Sequence, residues 1–244
     1  MALFLRLLRW LKYHNPAFTR KAINIFYNDP ETAILHVNNF DHLVVDGCAF
    51  LACNHMDSIQ RLKGNPWFAN IREDDVVLDI GANIGAITIP LAKTAKKVYA
   101  VEPLFSEELN ANIKLNRLQN VEVIKYGLGE DNTSLEIEYG SKKSFCQLIS
   151  MASILKMTGS INFIKVDCEG AEWLIQPQQL EDIREIRMEL HIRRKSKYSD
   201  LRKFEELKSW LEDNSYKFNI QRNIQAFPDI SFAECMLLNA SKPD

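Results

Sequence analysis

Along the chain, short apolar runs alternate with stretches whose apolar residues recur every three or four positions, and each kind implies a different backbone. The runs VVLDI (76–80), KVYAVE (97–102), VEVIKYG (121–127), NFIKVD (162–167), EIRMELH (185–191), YKFNIQ (216–221) and FAECMLLN (232–239) have the length and residue types of strands. Between them lie GAITIPLAKTA, SEELNANIKLNR and LRKFEELKSWLEDN, which carry the helical period. Such alternation predicts an α/β fold, a doubly wound, mostly parallel sheet with helices on both faces. Seven strands fit one such sheet.

Before Pro66 the pattern is different. TAILHVNNFDHLVVDG, from residue 32, reads as a short β-hairpin, and MDSIQRLKG as a helix stopped by Gly64. The first 14 residues, MALFLRLLRWLKYH, are interrupted by Arg6, Arg9 and Lys12, so their apolar stretch falls short of the roughly 18 residues of a spanning helix. They also lack the continuous apolar core of a signal peptide. We read residues 1–14 as a helix docked on the domain, with peripheral membrane contact as the other reading. The chain divides near residue 70, into an N-terminal extension (1–70; helix, β-hairpin, helix) and a sheet domain (71–244).

Composition narrows the partners. Lys and Arg number 30 against 32 Asp and Glu, for a net charge of -2, so no overall field draws the 244-residue chain to nucleic acid or anionic membrane. Five scattered cysteines, Cys48, Cys53, Cys146, Cys168 and Cys235, make no disulfide framework and point to a reducing, cytoplasmic setting. Cys48, Cys53 and His55 lack a second ligand pair at zinc spacing, so these cysteines read as small buried hydrophobes.

The first strand ends in DIGANIGA, with Asp79, Gly81, Asn83 and Gly85 leading into the helix ITIPLAK. Glycines here let a ligand approach the backbone, and a helix start offers free N–H groups. A dinucleotide loop reads G-x-G-x-x-G, whereas Gly81 and Gly85 stand four apart with Ile84 between them. Asp79 suits a cofactor with a cationic amino-acid end better than a pyrophosphate. The second strand ends in AVEP, placing Glu102 where it can hydrogen-bond ribose hydroxyls. The third ends in YGLGE, so Tyr126, Gly127 and Leu128 would lie beside Glu102 and flank an adenine.

These motifs, with the run K-x-D-x-E-G-x-E through Lys165, Asp167, Glu169, Gly170 and Glu172, resemble the class I S-adenosylmethionine-dependent methyltransferases. VLDIGANIG, VYAVEP and FIKVDCEGAEW narrow the resemblance to the FkbM-type methyltransferase family, over about residues 71–191. It implies S-adenosylmethionine as methyl donor, transfer to a hydroxyl of a sugar or secondary metabolite, and strand order 3-2-1-4-5-7-6 with the last strand antiparallel. It also implies that Asp79, Gly81, Asn83 and Gly85 cradle the methionine and ribose side and that Glu102 holds the ribose.

Along NFIKVDCE, alternation puts Ile164, Val166 and Cys168 on one face and Phe163, Lys165, Asp167 and Glu169 on the other. Ligands of open α/β sheets bind beyond the carboxyl ends of the strands, at the reversal of strand order, so Asp167 should stand at the mouth with Lys165 deeper. Transfer to oxygen needs a proton acceptor, and Asp167 or Glu169 can serve, with His191 as a competing base. Lys165 is counted with these three among the catalytic candidates, the other reading being a buried ion pair with Asp167 or Glu172 that fixes the strand end. A divalent cation on Asp167, Glu169 and Glu189 or His191 ranks below direct acid–base action.

RRKSKY adds a basic rim of Arg193, Arg194, Lys195 and Lys197, read as a solvated loop, a site for an anionic group on the acceptor, or a contact for RNA. The neutral balance and the lack of an RNA-binding module argue against nucleic acid. The expectation is therefore an O-methyltransferase acting on a hydroxyl of a small-molecule or glycan acceptor. Its rivals are an RNA methyltransferase using residues 193–197 and an inactive cofactor-binding interaction subunit.

Overall fold

The computed structural model describes residues 33–37, 40–51, 65–139, 142–193, 201–222 and 233–243. The proposed helices at 1–14 and 56–64, the pair Cys53 and His55, and the basic rim beyond Arg193 lie outside the described residues.

The expected hairpin is present as β1 (Ala33–Val37) and β2 (Phe40–Val45). A further strand, β3 (Cys48–Leu51), follows through Asp46 and Gly47, at φ of +47° and +72°. Two left-handed residues in a two-residue turn match the twist of an antiparallel pair, so Asp-Gly extends the hairpin to three strands. The sequence reading missed β3.

The main sheet begins with β4 (Val76–Ile80), α1 (Thr88–Ala92), β5 (Lys97–Val101), α2 (Ser106–Leu115) and β6 (Val121–Ile124). A second small sheet comes next, from β7 (Gly127–Leu128), β8 (Ser134–Tyr139) and β9 (Lys142–Ile149). Then come α3 (Met151–Thr158), β10 (Phe163–Val166), β11 (Glu185–Arg193), α4 (Leu201–Asp213), β12 (Lys217–Arg222) and β13 (Ala233–Ser241).

The seven-stranded sheet runs β12-β13-β11-β10-β4-β5-β6, which is the expected order read from the other edge. β13 is antiparallel to both neighbours, and the remaining pairs are parallel. One departure concerns the third expected strand. It stops at Ile124, where the Tyr126 N–H donates to the Ile124 carbonyl at 2.8 Å, and Gly127–Leu128 pair instead with β9. The β8–β9 hairpin was not expected either. Most of β8 is exposed, so it lacks the apolar run that marks a buried strand.

Each face of the sheet has its own core. On one, Val77, Val98 and Phe163 pack under Ile87 and Leu91, next to Ala100 with Leu109 and Ile113 of α2. On the other, Leu78, Ile80, Ile164, Val166, Ile186 and Leu238 pack against Ile154 of α3 and Leu207 and Leu211 of α4. Burial of each such side chain contributes about 1.5–3 kcal/mol, which is why central strands read as unbroken apolar runs.

The three-stranded sheet is tied to α2 by amide side chains. Asn112 Oδ1 accepts from the Leu51 N–H at 2.8 Å and Asn116 Oδ1 from the Ala49 N–H at 2.9 Å. One turn apart on α2, the two asparagines satisfy the open edge of β3 as a neighbouring strand would. Among the described residues, no helix is long and apolar enough to cross a membrane.

Candidate active site

Parallel pairing of β4 with β10 sets Asp79 beside Lys165. Lys165 Nζ lies 3.1 Å from Asp79 Oδ1 and donates to the Gly81 carbonyl at 2.8 Å, while Thr88 Oγ1 donates to Asp79 Oδ2 at 2.6 Å. Lys165 is 2% exposed and Asp79 0%, and the ammonium stands 5.8 Å from the Trp67 ring, which helps close the site from solvent. Burial alone would lower the lysine pKa, but Asp79 and then Asp167 outweigh it, so the net shift is upward and Lys165 stays charged.

Two expectations change here. Lys165 pairs with Asp79, not with Asp167 or Glu172, and lies buried beneath the glycine turn instead of at the mouth. Asp79 is the acidic half of this buried pair and has no exposed surface to offer the cationic end of a ligand.

Gly81 has φ +80°, and a Cβ on it would lie 1.8 Å from the Asp167 carbonyl oxygen. The exit of β10 thus crosses directly over the glycine turn, because the Asp167 N–H continues the ladder to the Ile80 carbonyl at 2.9 Å. Gly81→Ala is expected to destabilise the protein by about 1–3 kcal/mol or more and to displace Asp167. A denaturant midpoint unchanged from the parent would refute this contact.

The loop amides are not free. Those of Gly81 and Ala82 donate to the Val101 carbonyl, Asn83 to Glu102, Ile84 to Asn83 Oδ1 and Gly85 to the Ala82 carbonyl. The expectation of open N–H groups for a ligand fails over residues 81–85. Gly85, at φ +93°, leaves room for Leu109, whose Cδ1 would lie 2.8 Å from an added Cβ.

Glu102 follows β5 and is buried. Its Oε1 accepts from the Leu104 and Phe105 N–H groups at 2.7 and 2.9 Å, and its Oε2 accepts from Asn83 at 2.8 Å. Burial raises the carboxyl pKa and these three donors oppose the rise. A carboxylate has about four acceptor positions, so one direction on Oε2 stays available to a hydroxyl, where two ribose contacts were expected. Tyr126 is 37% exposed. Gly127 and Leu128 are buried in β7, and a Cβ on Gly127 would lie 3.6 Å from Pro103, next in chain to Glu102.

On the far side of Gly81, a second carboxylate organises the mouth. Glu172 Oε1 accepts from the His191 N–H at 2.6 Å and lies 3.0 Å from His191 Nδ1, while its Oε2 accepts from the Gly170 N–H at 2.8 Å. Trp173 Nε1 donates to the His191 carbonyl at 2.9 Å. His191 Nε2 then stands 3.8 Å from Glu169 Oε2 and 4.0 Å from Asp167 Oδ1. Burial pulls the imidazole pKa down, but Cys235, Glu172 and Glu169 together push it up to about 11. A pKa held that high disfavours His191 as a proton acceptor beside Asp167.

Asp167 is the opposite case. Desolvation raises its pKa, Lys165 lowers it, Glu189 raises it, His191 lowers it and Glu169 raises it again, leaving it pushed up to about 6. Its side chain keeps 33% exposure and Glu169 keeps 44%, so both open on solvent. The sequence reading missed Trp67, Trp173 and Cys235. Only the last left a trace, since strand alternation puts it on a face that the β11–β13 register turns toward His191.

Comparison with known proteins corrects the earlier resemblance. Residues 66–168, under half of the chain, match the family described as the TRM5/TYW2 methyltransferase domain, and this finding replaces the FkbM-type assignment. A probable ribosomal RNA small subunit methyltransferase A of Methanosphaera stadtmanae is 44% identical over 59 residues, 23% of this chain and 22% of its own length. An uncharacterized RNA methyltransferase of Oceanobacillus iheyensis is 46% identical over 57 residues, 22% of this chain and 12% of its own. The chain therefore spans about a fifth or less of these relatives.

Their names overturn the expectation of a small-molecule or glycan acceptor with nucleic acid set aside. Among solved structures, M. jannaschii TYW2 in complex with AdoMet superposes with a TM-score of 0.50 at 20% identity, covering 84% of this chain and 87% of that one. At that identity the likeness speaks for the fold. The chain has the class I methyltransferase fold, and residues 66–168 are similar to the TRM5/TYW2 methyltransferase domain.

Proposed function

We propose that this protein is an S-adenosylmethionine-dependent methyltransferase whose acceptor is RNA, with residues 71–244 as the catalytic unit and residues 1–70 as an extension. The reading rests on one observation above all. Glu102 and Asp167 end the two strands that flank β4, on either side of Gly81, within or beside the span that resembles a methyltransferase domain. That is the reversal of strand order, where open sheets bind their ligands. The RNA acceptor is supported by the names of the relatives.

In this proposal the free acceptor direction of Glu102 Oε2 takes one ribose hydroxyl of the donor. Tyr126, Gly127 and Leu128 border its adenine, and Gly81, Asn83 and Gly85 shape the loop beneath it. The donor supplies a methyl group on a sulfonium. Asp167 receives the proton that the acceptor atom loses, with Glu169 and His191 beside it.

Calorimetry with S-adenosylmethionine tests the first half. Glu102→Gln keeps the shape and removes the charge-assisted contact, so affinity is expected to fall about 10–100-fold. Absence of binding by the folded parent protein would end the proposal. Tritiated methyl transfer into RNA, glycan and metabolite pools tests the second half, with label expected in RNA. Label in either of the other pools would overturn the acceptor class, and binding without transfer to any pool would favour an interaction subunit.

A further inference from the structure

We propose that Glu189, His191 and Cys235 form a site for a transition-metal ion of the Zn²⁺ class, closed on the mouth side by Asp167 and Glu169. His191 and Cys235 are direct partners in the antiparallel β11–β13 ladder, and Glu189 precedes His191 by two residues on the same face. One ligand atom from each of Glu189, His191 and Cys235 lies within 4.8 Å of the others, and the same holds for Asp167, Glu169 and His191. Both groups share the imidazole. Its Nδ1 is engaged by Glu172, its Nε2 is turned to Asp167 and Glu169, and the ring hydrogen-bonds Cys235.

Spacing on the mouth side leaves room for an ion, while His191 and Cys235 are already close enough to hydrogen-bond. With bonds of about 2.0–2.3 Å, ligand atoms around a tetrahedral Zn²⁺ stand roughly 3.3–3.7 Å apart. Nε2 lies 3.8 Å from Glu169 Oε2 and 4.0 Å from Asp167 Oδ1, beyond hydrogen-bond range and a few tenths of an ångström outside ligand spacing. Small side-chain rotations close that gap. Glu172, whose side chain is fully buried, already fixes the ring from behind, the usual arrangement of a carboxylate behind a metal-binding histidine.

The donor set selects the ion. Mg²⁺ and Ca²⁺ take oxygen donors, whereas a thiol beside an imidazole favours Zn²⁺ and its neighbours. Binding requires the Cys235 thiol and the His191 imidazolium each to release a proton, which passes to solvent as the dication takes its place. Glu189, Asp167 and Glu169 around these two groups, with Glu172 behind the ring, supply the compensating negative charge.

The test uses the full chain, stripped with chelator and titrated with Co²⁺ as a spectroscopic substitute for Zn²⁺. One ion per chain is expected, with the near-ultraviolet absorption of a thiolate–cobalt bond, and Zn²⁺ should bleach that absorption on displacing it. Cys235→Ser, nearly isosteric, should lose the band, Cys146→Ser should keep it, and Glu172→Gln should weaken affinity about 10–100-fold. Circular dichroism confirms that each variant is folded. Failure of the folded parent to bind Co²⁺ or Zn²⁺, or an undiminished band in Cys235→Ser, would overturn the site. Neither readout depends on the methyl acceptor, so the site and the RNA proposal stand or fall separately.

Discussion

Asp167→Asn is expected to lower methyl transfer by about 10²–10⁴-fold, the usual contribution of a positioned general base, while leaving S-adenosylmethionine binding unchanged. The separation follows from the geometry. Gly81 meets Asp167 through its main-chain carbonyl, which the substitution preserves, whereas the carboxylate points toward His191 Nε2. Asparagine keeps the volume and loses the capacity to take a proton. Glu169 is the nearest substitute, but at 44% side-chain exposure it stands further out in solvent than Asp167 at 33%. Single-turnover rates with labelled donor, alongside calorimetry, provide the comparison. A fully active Asp167→Asn protein would remove Asp167 as base.

Lys165→Met is expected to cost about 3–5 kcal/mol of stability, the penalty for leaving one partner of a buried ion pair uncompensated. Asp79 is wholly inaccessible, and Thr88 alone cannot neutralise it. Against a total stability of about 5–15 kcal/mol, that loss is large. Chemical denaturation would show a lower midpoint with an unchanged slope. Adding Asp79→Asn should recover much of the loss, because the stranded charge is then gone. A Lys165→Met protein as stable as the parent would mean that the pair contributes nothing.

The main sheet was legible because its signals are local. Strand runs, helical periods and the turn residues between them each depend on neighbours a few positions apart, and together they yielded the seven strands. Their order came from the family resemblance, and the structure bears it out even though the family named was the wrong one. VLDIGANIG and VYAVEP mark a fold common to many methyltransferases, so they could not decide the acceptor. The β8–β9 hairpin escaped because exposed strands leave no apolar run. β3 escaped because the Asp-Gly turn was read as the end of a hairpin and not as its continuation.

The charged stretch IKVDCEGAEW shows where local reasoning stops. Its residue types announced a ligand end of the sheet, and alternation placed Lys165, Asp167 and Glu169 on one face. Which carboxylate neutralises Lys165, which group holds His191 and which thiol joins the mouth depend on strands far apart in the chain. Parallel register delivered Asp79 to Lys165, a tight 3₁₀ turn delivered Glu172 to His191, and the antiparallel β13 delivered Cys235. The amino-acid sequence by itself determined the strands, the helices and the chemical kinds of group at the mouth, because periodicity and turn chemistry are short-range properties. The tertiary structure decided which charges pair, which stay open to solvent and which surround a common point, because burial and electrostatic coupling exist only once distant strands lie side by side.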